Sequence, residues 1–370
     1  MTEKIYYKDG YLRNLEATVT RIDGNEVYLD KTIFYPEGGG QRGDVGTFGS
    51  FVIKDTQKRD GDVAHIFESV EGLSVGDKAL LTLNWDNRYK FMKCHSAQHL
   101  LSSILFNRKN AGTVAVHLGD EYITIEHKGA VLTEEDLLEV EDEANKAIRE
   151  GHAVIQKEVH RAEAEALGMR RSIKVDSEMV MLVIIEGLDT VACGGVHVGN
   201  IREIGEISYY GRETIRGHER LLFKVGDEAV SKRRSDKEAV KEISTILSSP
   251  EGDVIPTLKA KLESIEELKR ENRKLTLMLT EMEAEKITSS YHETELPLDD
   301  FAQILEKKGL SDVFIVRNAE KLEFLYFGEK DRFNDLKSKL NLRGGGRPPL
   351  FRGIVNASIE DVREIFKYGR

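Results

Sequence analysis

The chain has 370 residues, 40% of them hydrophobic and 32% charged, which is typical of soluble globular proteins and allows two to four domains. The formal net charge of −11 argues against general binding of nucleic acid, so any such contact must use a local basic patch. The sequence has no apolar run long enough for a membrane span, no apolar signal-peptide core at its start, and only two cysteines. This combination predicts a protein of the reducing cytoplasm.

Residues 1–88 are predicted to form a β-barrel domain. Apolar and polar residues alternate along 17–35 and 51–68, and a turn signal with an Asp-Gly pair interrupts each stretch. The segment 36–46 between them, PEGGGQRGDVG, is rich in glycine, which lets a backbone come very close to a ligand or to another backbone. Because no Lys-Ser or Lys-Thr follows these glycines, the segment does not match a phosphate-binding loop, and its composition favours a flexible corner of the barrel.

A helix is predicted over 84–106, where apolar residues recur at helical spacing. Within it, His95 and His99 of the string HSAQH are four residues apart and therefore project from the same face. Cys94 lies one residue off that face and is expected to be a buried thiol rather than a metal ligand.

A second pair of metal-ligand residues follows about 100 residues later. Between the two pairs the sequence predicts two paired strands (113–119 and 122–127), an acidic helix (133–151) and a buried strand (179–187). The string CGGVH then supplies Cys193 and His197, and the two glycines between them permit a tight turn that brings both side chains together. Three imidazoles and one thiol suit zinc.

Three uses of such a zinc site remain open from the residues alone. A structural site would close all four ligands around the metal, whereas a hydrolytic site would leave one position open to water or substrate. A regulatory site would control RNA binding without catalysis. The sequence contains neither H-E-x-x-H nor H-x-E with C-x-x-C, which argues against a metalloprotease and a zinc deaminase.

A long helix is predicted from 254 to 287. Its apolar residues nearly follow a heptad repeat, and Asn272 lies in the same stripe. The other members of the stripe are Leu258, Leu262, Ile265, Leu268, Leu275, Leu279 and Met282. The pattern supports equally a helix packed on its own domain and a dimerising helix in which Asn272 fixes the register.

Residues 291–370 are predicted to form a small α/β domain, with strands at 312–318 and 322–328 and a final helix at 359–369. Between these elements, 337–352 contains five basic residues and no acidic one. The basic residues are Lys337, Lys339, Arg343, Arg347 and Arg352, and Gly344, Gly345 and Gly346 lie among them. We interpret this segment as a loop whose exposed N–H groups and cations contact phosphate or an RNA backbone, the alternative being a solvated basic loop.

Three motifs resemble a known family. HSAQHLL followed by CGGVHV resembles the paired metal motifs of the alanyl-tRNA synthetase editing domain and of the free-standing AlaX trans-editing proteins. FYPEGGGQRGDVG resembles the glycine-rich stretch before that domain, and RGGGRP resembles a segment of the synthetases' C-terminal DHH-associated domain. The motifs occur in the same order over nearly the whole chain. Because no class II aminoacylation domain precedes them, the chain resembles a long AlaX protein.

The resemblance implies a zinc-dependent deacylase that acts in trans on tRNA(Ala) mischarged with serine or glycine, chiefly serine. The implied zinc ligands are His95, His99, Cys193 and His197. The implied pocket wall is Gly38, Gly39, Gly40 and Gln41, and the implied tRNA contacts are Arg343, Gly344, Gly345, Gly346 and Arg347. Thr113 and His117 are candidate pocket residues by rough position and are equally well explained as ordinary sheet residues.

Two alternatives stay open within this resemblance. The chain is either the deacylase or a non-catalytic tRNA-binding protein with a structural zinc. If all four side chains bind zinc at once, water must enter as a fifth ligand or displace one of them. Otherwise zinc holds the substrate amine, and the water comes from bulk solvent.

The sequence therefore predicts an α+β multidomain chain that forms a homodimer through 254–287 or through its C-terminal domain. Four domains are expected: a β-barrel domain at 1–88, a zinc-dependent editing domain at 89–229, a helical coiled-coil segment at 230–290 and a tRNA-binding domain at 291–370.

Overall fold

A computed structural model describes residues 1–173, 177–215, 217–288 and 290–367. The fold is α+β, and the chain divides into two compact units, Met1–Ala239 and Val240–Arg370. The division into four domains remains a prediction. None of the described helices combines the length and the apolar character that crossing a membrane requires.

The first unit begins with short strands, six of which pair in a closed ring in the order β2-β3-β7-β6-β5-β8. In chain order the strands are β1 Glu3–Lys4, β2 Asn14–Asp23, β3 Glu26–Leu29, β4 Lys31–Thr32, β5 Gly46–Phe48, β6 Phe51–Arg59, β7 Asp62–Phe67 and β8 Lys78–Leu83. The turn from β6 to β7 uses Asp60 and Gly61, whose φ angles of 48° and 81° are those that a two-residue hairpin turn requires. Apolar side chains such as Val27, Phe34, Ile53 and Leu81 are buried within the ring.

The glycine-rich segment joins β4 to β5 and is bonded to two different parts of the unit. The Glu37 N–H donates to the Thr56 carbonyl at 2.8 Å, and the Leu118 N–H donates to the Gly40 carbonyl at 3.1 Å. Gly40 has a φ of +88°, and a Cβ there would lie 3.0 Å from the Val116 carbonyl oxygen. The expectation of a flexible corner is therefore wrong, because backbone bonds and close approach fix the segment.

Helix α1, Trp85–Lys109, is the central helix of the first unit. Asn84 caps it, since its side chain accepts a hydrogen bond from the Asn87 N–H at 3.2 Å. Arg88 in the first turn is fully buried and donates to the Asp44 carboxylate and to two backbone carbonyls. This ion pair ties α1 to the glycine-rich segment, of which Asp44 is a part.

The rest of the first unit contains two sheets, two α-helices and the start of a further α-helix. Its elements are β9 Gly112–Leu118, β10 Ile123–Lys128, α2 Glu134–Glu150, β11 Val154–His160, α3 Arg161–Ala166, β12 Met179–Ile185, β13 Asp189–Ala192, β14 Ile207–Ile215, β15 His218–Val225 and the start of α4 Asp227–Leu247. The sheets have the orders β14-β15-β10-β9 and β11-β12-β13, both antiparallel. A capping box of Thr133 and Asp136 starts α2.

The second unit contains a five-stranded sheet of order β16-β17-β18-β20-β19 with helices around it. Its elements after α4 are α5 Val254–Glu285, β16 Tyr291–Thr294, α6 Asp299–Lys307, β17 Val313–Asn318, β18 Leu322–Phe327, α7 Lys330–Lys339, β19 Leu342–Arg347, β20 Leu350–Val355 and α8 Ile359–Lys367. The predicted final helix extended to residue 369, and its last two residues lie outside the described part of the chain.

The basic glycine-rich segment of this unit is not a loop. Arg343 to Arg347 belong to the edge strand β19, which pairs with β20 in an antiparallel register. A Cβ at Gly344 would lie 2.3 Å from the Arg352 carbonyl oxygen, so the glycine permits close pairing of the two strands. The arginines remain exposed on this edge.

Helix α5 presents its apolar stripe to solvent. The seven apolar members of the stripe are 39–61% exposed: Leu258, Leu262, Ile265, Leu268, Leu275, Leu279 and Met282. Asn272 is exposed among them. Packing on its own unit therefore does not cover this face.

Candidate metal centre

The two predicted ligand pairs meet in the first unit. One ligand atom from each of His95, His99, Cys193 and His197 lies within 4.8 Å of the other three. The Cys193 Sγ is 3.4 Å from the His95 Nε2 and 3.5 Å from the His197 Nε2. Tetrahedral zinc with ordinary bond lengths separates neighbouring ligand atoms by about 3.3–3.6 Å, so these spacings suit a zinc-sized ion.

Burial keeps the three imidazoles in the neutral form that binds metal ions and acts in the opposite direction on the thiol. It lowers the pKa of His95 to about 4 and lowers the pKa values of His99 and His197 well below their ordinary range, so the imidazoles are neutral. Burial raises the pKa of the Cys193 thiol to about 11, and a bound dication would favour the thiolate instead.

His99 provides the clearest sign that these residues fit a metal ion. Both of its ring nitrogens are buried, and neither has a hydrogen-bond partner among the described residues. A buried polar atom without a partner is costly, and a metal ion would satisfy one of the two. The donor set of three imidazoles and one thiol suits the same ion.

The tight turn after β13 brings Cys193 and His197 to the helix. The Cys193 N–H donates to the Met181 carbonyl at 2.9 Å, which fixes the start of the turn. A Cβ at Gly195 would lie 2.2 Å from the Cε1 atom of His95, so only glycine allows the turn to pass this close to the ring.

Two polar side chains bond the far nitrogens of the histidine rings. The Gln41 Oε1 lies 2.9 Å from the His95 Nδ1, and the Ser96 Oγ lies 3.3 Å from the His197 Nδ1. Such contacts orient metal-binding imidazoles. Gln41, predicted only as part of a pocket wall, thus reaches the cluster itself.

A cleft of about 350 Å³ opens onto the cluster. His95, His99 and Cys193 border it, so three of the four ligand side chains face the cleft. Gly38 and Gly39 of the glycine-rich segment form part of its wall. The volume is in the range of small-molecule sites.

The two candidate residues of β9 occupy different places. His117 is exposed and does not border the cleft, whereas Val116 does. A bulge in β9 breaks the alternation, since Ala115 pairs with Glu126 and Thr113 with the next residue. Thr113 consequently points toward α1 rather than into the metal cleft.

Thr113 is nevertheless connected to the cleft through α1. Its hydroxyl donates to the Ser102 Oγ at 2.9 Å, and the Gln98 Nε2 donates to the same oxygen at 2.8 Å. Gln98 borders the cleft. A buried polar chain therefore runs from the cleft to Thr113.

Sequence reasoning missed several side chains that line the cleft. Arg170 and Arg171 follow α3, and Tyr7 and Lys58 belong to the β-rich start of the unit. Arg170 is buried against Asp189 in a two-pronged ion pair, with both N–O distances at 2.9 Å. No local pattern marks these positions, because only the folded chain brings them to the cleft.

The first unit thus combines a closed ring of strands with an α+β part that carries a cluster of four metal-ligand side chains. Residues 5–87 match the family described as tRNA synthetases class II (A). The chain is 30% identical to the alanyl-tRNA editing protein AlaX-L of Pyrococcus horikoshii, over 99% of this chain and 97% of that protein. It is 30% identical to an alanine–tRNA ligase of Methanococcus aeolicus over 98% of this chain, and 33% identical to one of Sulfurisphaera tokodaii over 78%.

The two ligases are much longer proteins, of which the matches cover 42% and 33%. AlaX-L matches end to end. The chain belongs to the AlaX family of alanyl-tRNA editing proteins.

Proposed function

We propose that this protein is a zinc-dependent aminoacyl-tRNA deacylase that removes serine, and secondarily glycine, from mischarged tRNA(Ala) in the cytoplasm. The observation that carries the proposal is the cleft, which exposes three of the four ligand side chains to a substrate. Family membership supports the substrate class, since the relative that matches over 97% of its own length is named an alanyl-tRNA editing protein.

A zinc ion held by His95, His99, Cys193 and His197 would supply a Lewis acid beside the aminoacyl ester. The chain's own groups position the rest of the substrate. Lys4, Lys58 and Arg171 border the same cleft, and these cations favour the phosphates next to the terminal adenosine.

The polar chain from Gln98 through Ser102 to Thr113 supports discrimination between serine and alanine. A site that hydrogen-bonds a substrate hydroxyl rejects an analogue that lacks it, because its buried polar groups would lose a partner. Gln98 borders the cleft and offers such a group. His117, on the exposed face of β9, has no part in this pocket.

In the second unit, we propose that Arg343 and Arg347 of β19 contact the tRNA backbone. Their exposure on an edge strand supports this, since phosphate contacts need accessible cations. The exposed stripe of α5 supports a homodimer formed through 254–287.

The alternative, a tRNA-binding protein with a structural zinc, is less well supported by the geometry. Structural zinc sites are closed on all sides by their ligands. Here the ligands border an open cleft.

The decisive experiment measures the release of amino acid from Ser-, Gly- and Ala-tRNA(Ala) before and after chelation. We expect rapid loss of serine, slower loss of glycine, little loss of alanine, and no reaction after chelation. Cys193→Ala should abolish the reaction. Cys94→Ala is the matched control, because that buried thiol lies outside the ligand cluster. Serine release that is absent, or that chelation does not affect, would contradict the proposal.

A further inference from the structure

Gln41 lies at the junction of three chain segments that have no local relation in sequence. It follows the glycines of the segment between β4 and β5, and it is fully buried. Its Oε1 is 2.9 Å from the His95 Nδ1 on α1 and 3.4 Å from the Val196 backbone nitrogen in the turn after β13. One amide oxygen therefore joins both halves of the metal cluster.

The backbone N–H of Val196 determines which way round the Gln41 amide lies. A peptide nitrogen can only donate, so it requires the oxygen of the amide and not the NH₂ group on its side. With the oxygen there, the His95 Nδ1 must be the donor in the contact with Gln41. The proton of the neutral ring then lies on Nδ1.

This assignment leaves the lone pair of His95 on Nε2, the atom that faces the cluster. The Cys193 Sγ lies 3.4 Å from that Nε2, a distance that suits two ligands of one ion. With the opposite amide orientation, Nε2 would carry the proton and could not bind a metal. The Gln41 Nε2 is buried without a hydrogen-bond partner among the described residues, so the amide is held through its oxygen.

We propose that Gln41 is a positioning residue that fixes the tautomer and orientation of His95 for metal binding. The inference rests on the metal site of the proposed function, and it goes beyond the pocket-wall role that the glycine-rich segment implies. Because Gly40 is bonded to β9 through its carbonyl, the glycine-rich segment delivers Gln41 at a fixed place. The segment before α1 thereby contributes to metal affinity and not only to the shape of the cleft.

The test compares the zinc affinity of the full-length chain and three variants by competition with a chromophoric chelator. Gln41→Met keeps the length of the side chain and removes the acceptor, and we expect zinc binding to weaken about 10- to 100-fold. Gln41→Glu keeps an acceptor at the same place, and we expect affinity within about 3-fold of the unchanged chain, or tighter.

Gln156→Met is the matched control. The Gln156 amide also holds the turn after β13, because it donates to the Gly195 carbonyl at 2.8 Å, but it contacts no histidine ring in the described structure. We expect a loss below about 3-fold, well short of the effect of Gln41→Met. Equal losses in the two methionine variants would show that Gln41 merely tethers the turn, and they would overturn the proposal. Unchanged affinity in Gln41→Met, or a Gln41→Glu variant as weak as Gln41→Met, would also overturn it.

A second measurement requires no variant to fold. Histidine ¹⁵N correlation spectra of the metal-free chain at neutral pH should show the His95 ring protonated on Nδ1, and protonation on Nε2 would overturn the proposal. The results of these measurements are independent of the result of the deacylation assay. A chain whose zinc affinity depends on Gln41 but which releases no serine would refute the proposed function and leave this inference standing.

Discussion

Replacing Gly195 by alanine tests the geometry of the metal cluster most directly. The added Cβ would lie 2.2 Å from the His95 Cε1 and 2.4 Å from its Nδ1. Ordinary contact begins at 3.4 Å, so the ring or the turn must move by about 1.2 Å (3.4 − 2.2). Metal–ligand distances tolerate deviations of only about 0.2 Å. The displaced ring would also lose its bond to Gln41.

We expect Gly195→Ala to weaken zinc binding about 100-fold, the upper end of what loss of support for a ligand costs. The neighbouring Gly194→Ala is the control, since a Cβ there meets only the hydroxyl tip of Tyr7, at 3.2 Å. Neither glycine has a positive φ, so the comparison separates crowding from backbone strain. Competition with a chromophoric chelator measures both affinities, and thermal unfolding of the metal-free variants checks the fold. Equal affinities in the two variants would refute the placement of His95 against the turn.

Three further predictions concern other parts of the chain. Changing Arg343 and Arg347 to alanine should weaken tRNA(Ala) binding, lower the slope of log affinity against log salt by about 2, and leave zinc content unchanged; unaltered tRNA affinity would return β19 to a solvated edge. Changing Leu262 and Leu268 to lysine should turn a dimer into a monomer in light scattering, and a monomeric mass for the unchanged chain would rule out the dimer. Burial lowers the pKa of His65 from 6.5 to about 4, so the unfolded chain binds the extra proton first and the free energy of unfolding should fall by about 3 kcal/mol as pH drops from 6.5 to 4. Urea unfolding measures this free energy at each pH. His65→Gln should make it much less dependent on pH between 6.5 and 4, and a pH dependence identical to that of the unchanged chain would contradict the assignment.

Local geometry was sufficient to predict each of the two ligand pairs. Histidines four residues apart on a helix must share a face, which makes His95 and His99 a pair wherever α1 packs. Two glycines between Cys193 and His197 allow the turn that the structure contains. What no local rule could supply is the meeting of the two pairs, which are 98 residues apart along the chain from His95 to Cys193.

Where prediction failed, tertiary pairing overrode a local pattern. The stretch around Gly344 has low strand propensity, yet pairing with β20 makes it an edge strand. Strict alternation would place Thr113 and His117 on one face, but the bulge beside Glu126 separates them. The composition of the glycine-rich segment predicts flexibility, but backbone hydrogen bonds to β6 and β9 fix it. In the first two cases the deciding partner is the neighbouring strand of a hairpin, and a pattern along one strand does not specify its pairing.

The same non-local construction links metal binding to folding of the first unit. His95 and His99 need α1, Cys193 and His197 need the turn after β13, and Gln41 needs the glycine-rich segment to be bonded to β9. The unfolded chain cannot assemble this set, so an ion that binds only the folded cluster adds its binding free energy to the stability of the whole unit. The two buried ring nitrogens of His99 have no hydrogen-bond partner in the described part of the chain, so in the metal-free protein their burial costs free energy that a bound ion would partly offset. The cluster is therefore arranged to hold a metal ion. Packing accounts for the burial of the four side chains, but it does not account for the cleft onto which three of them open.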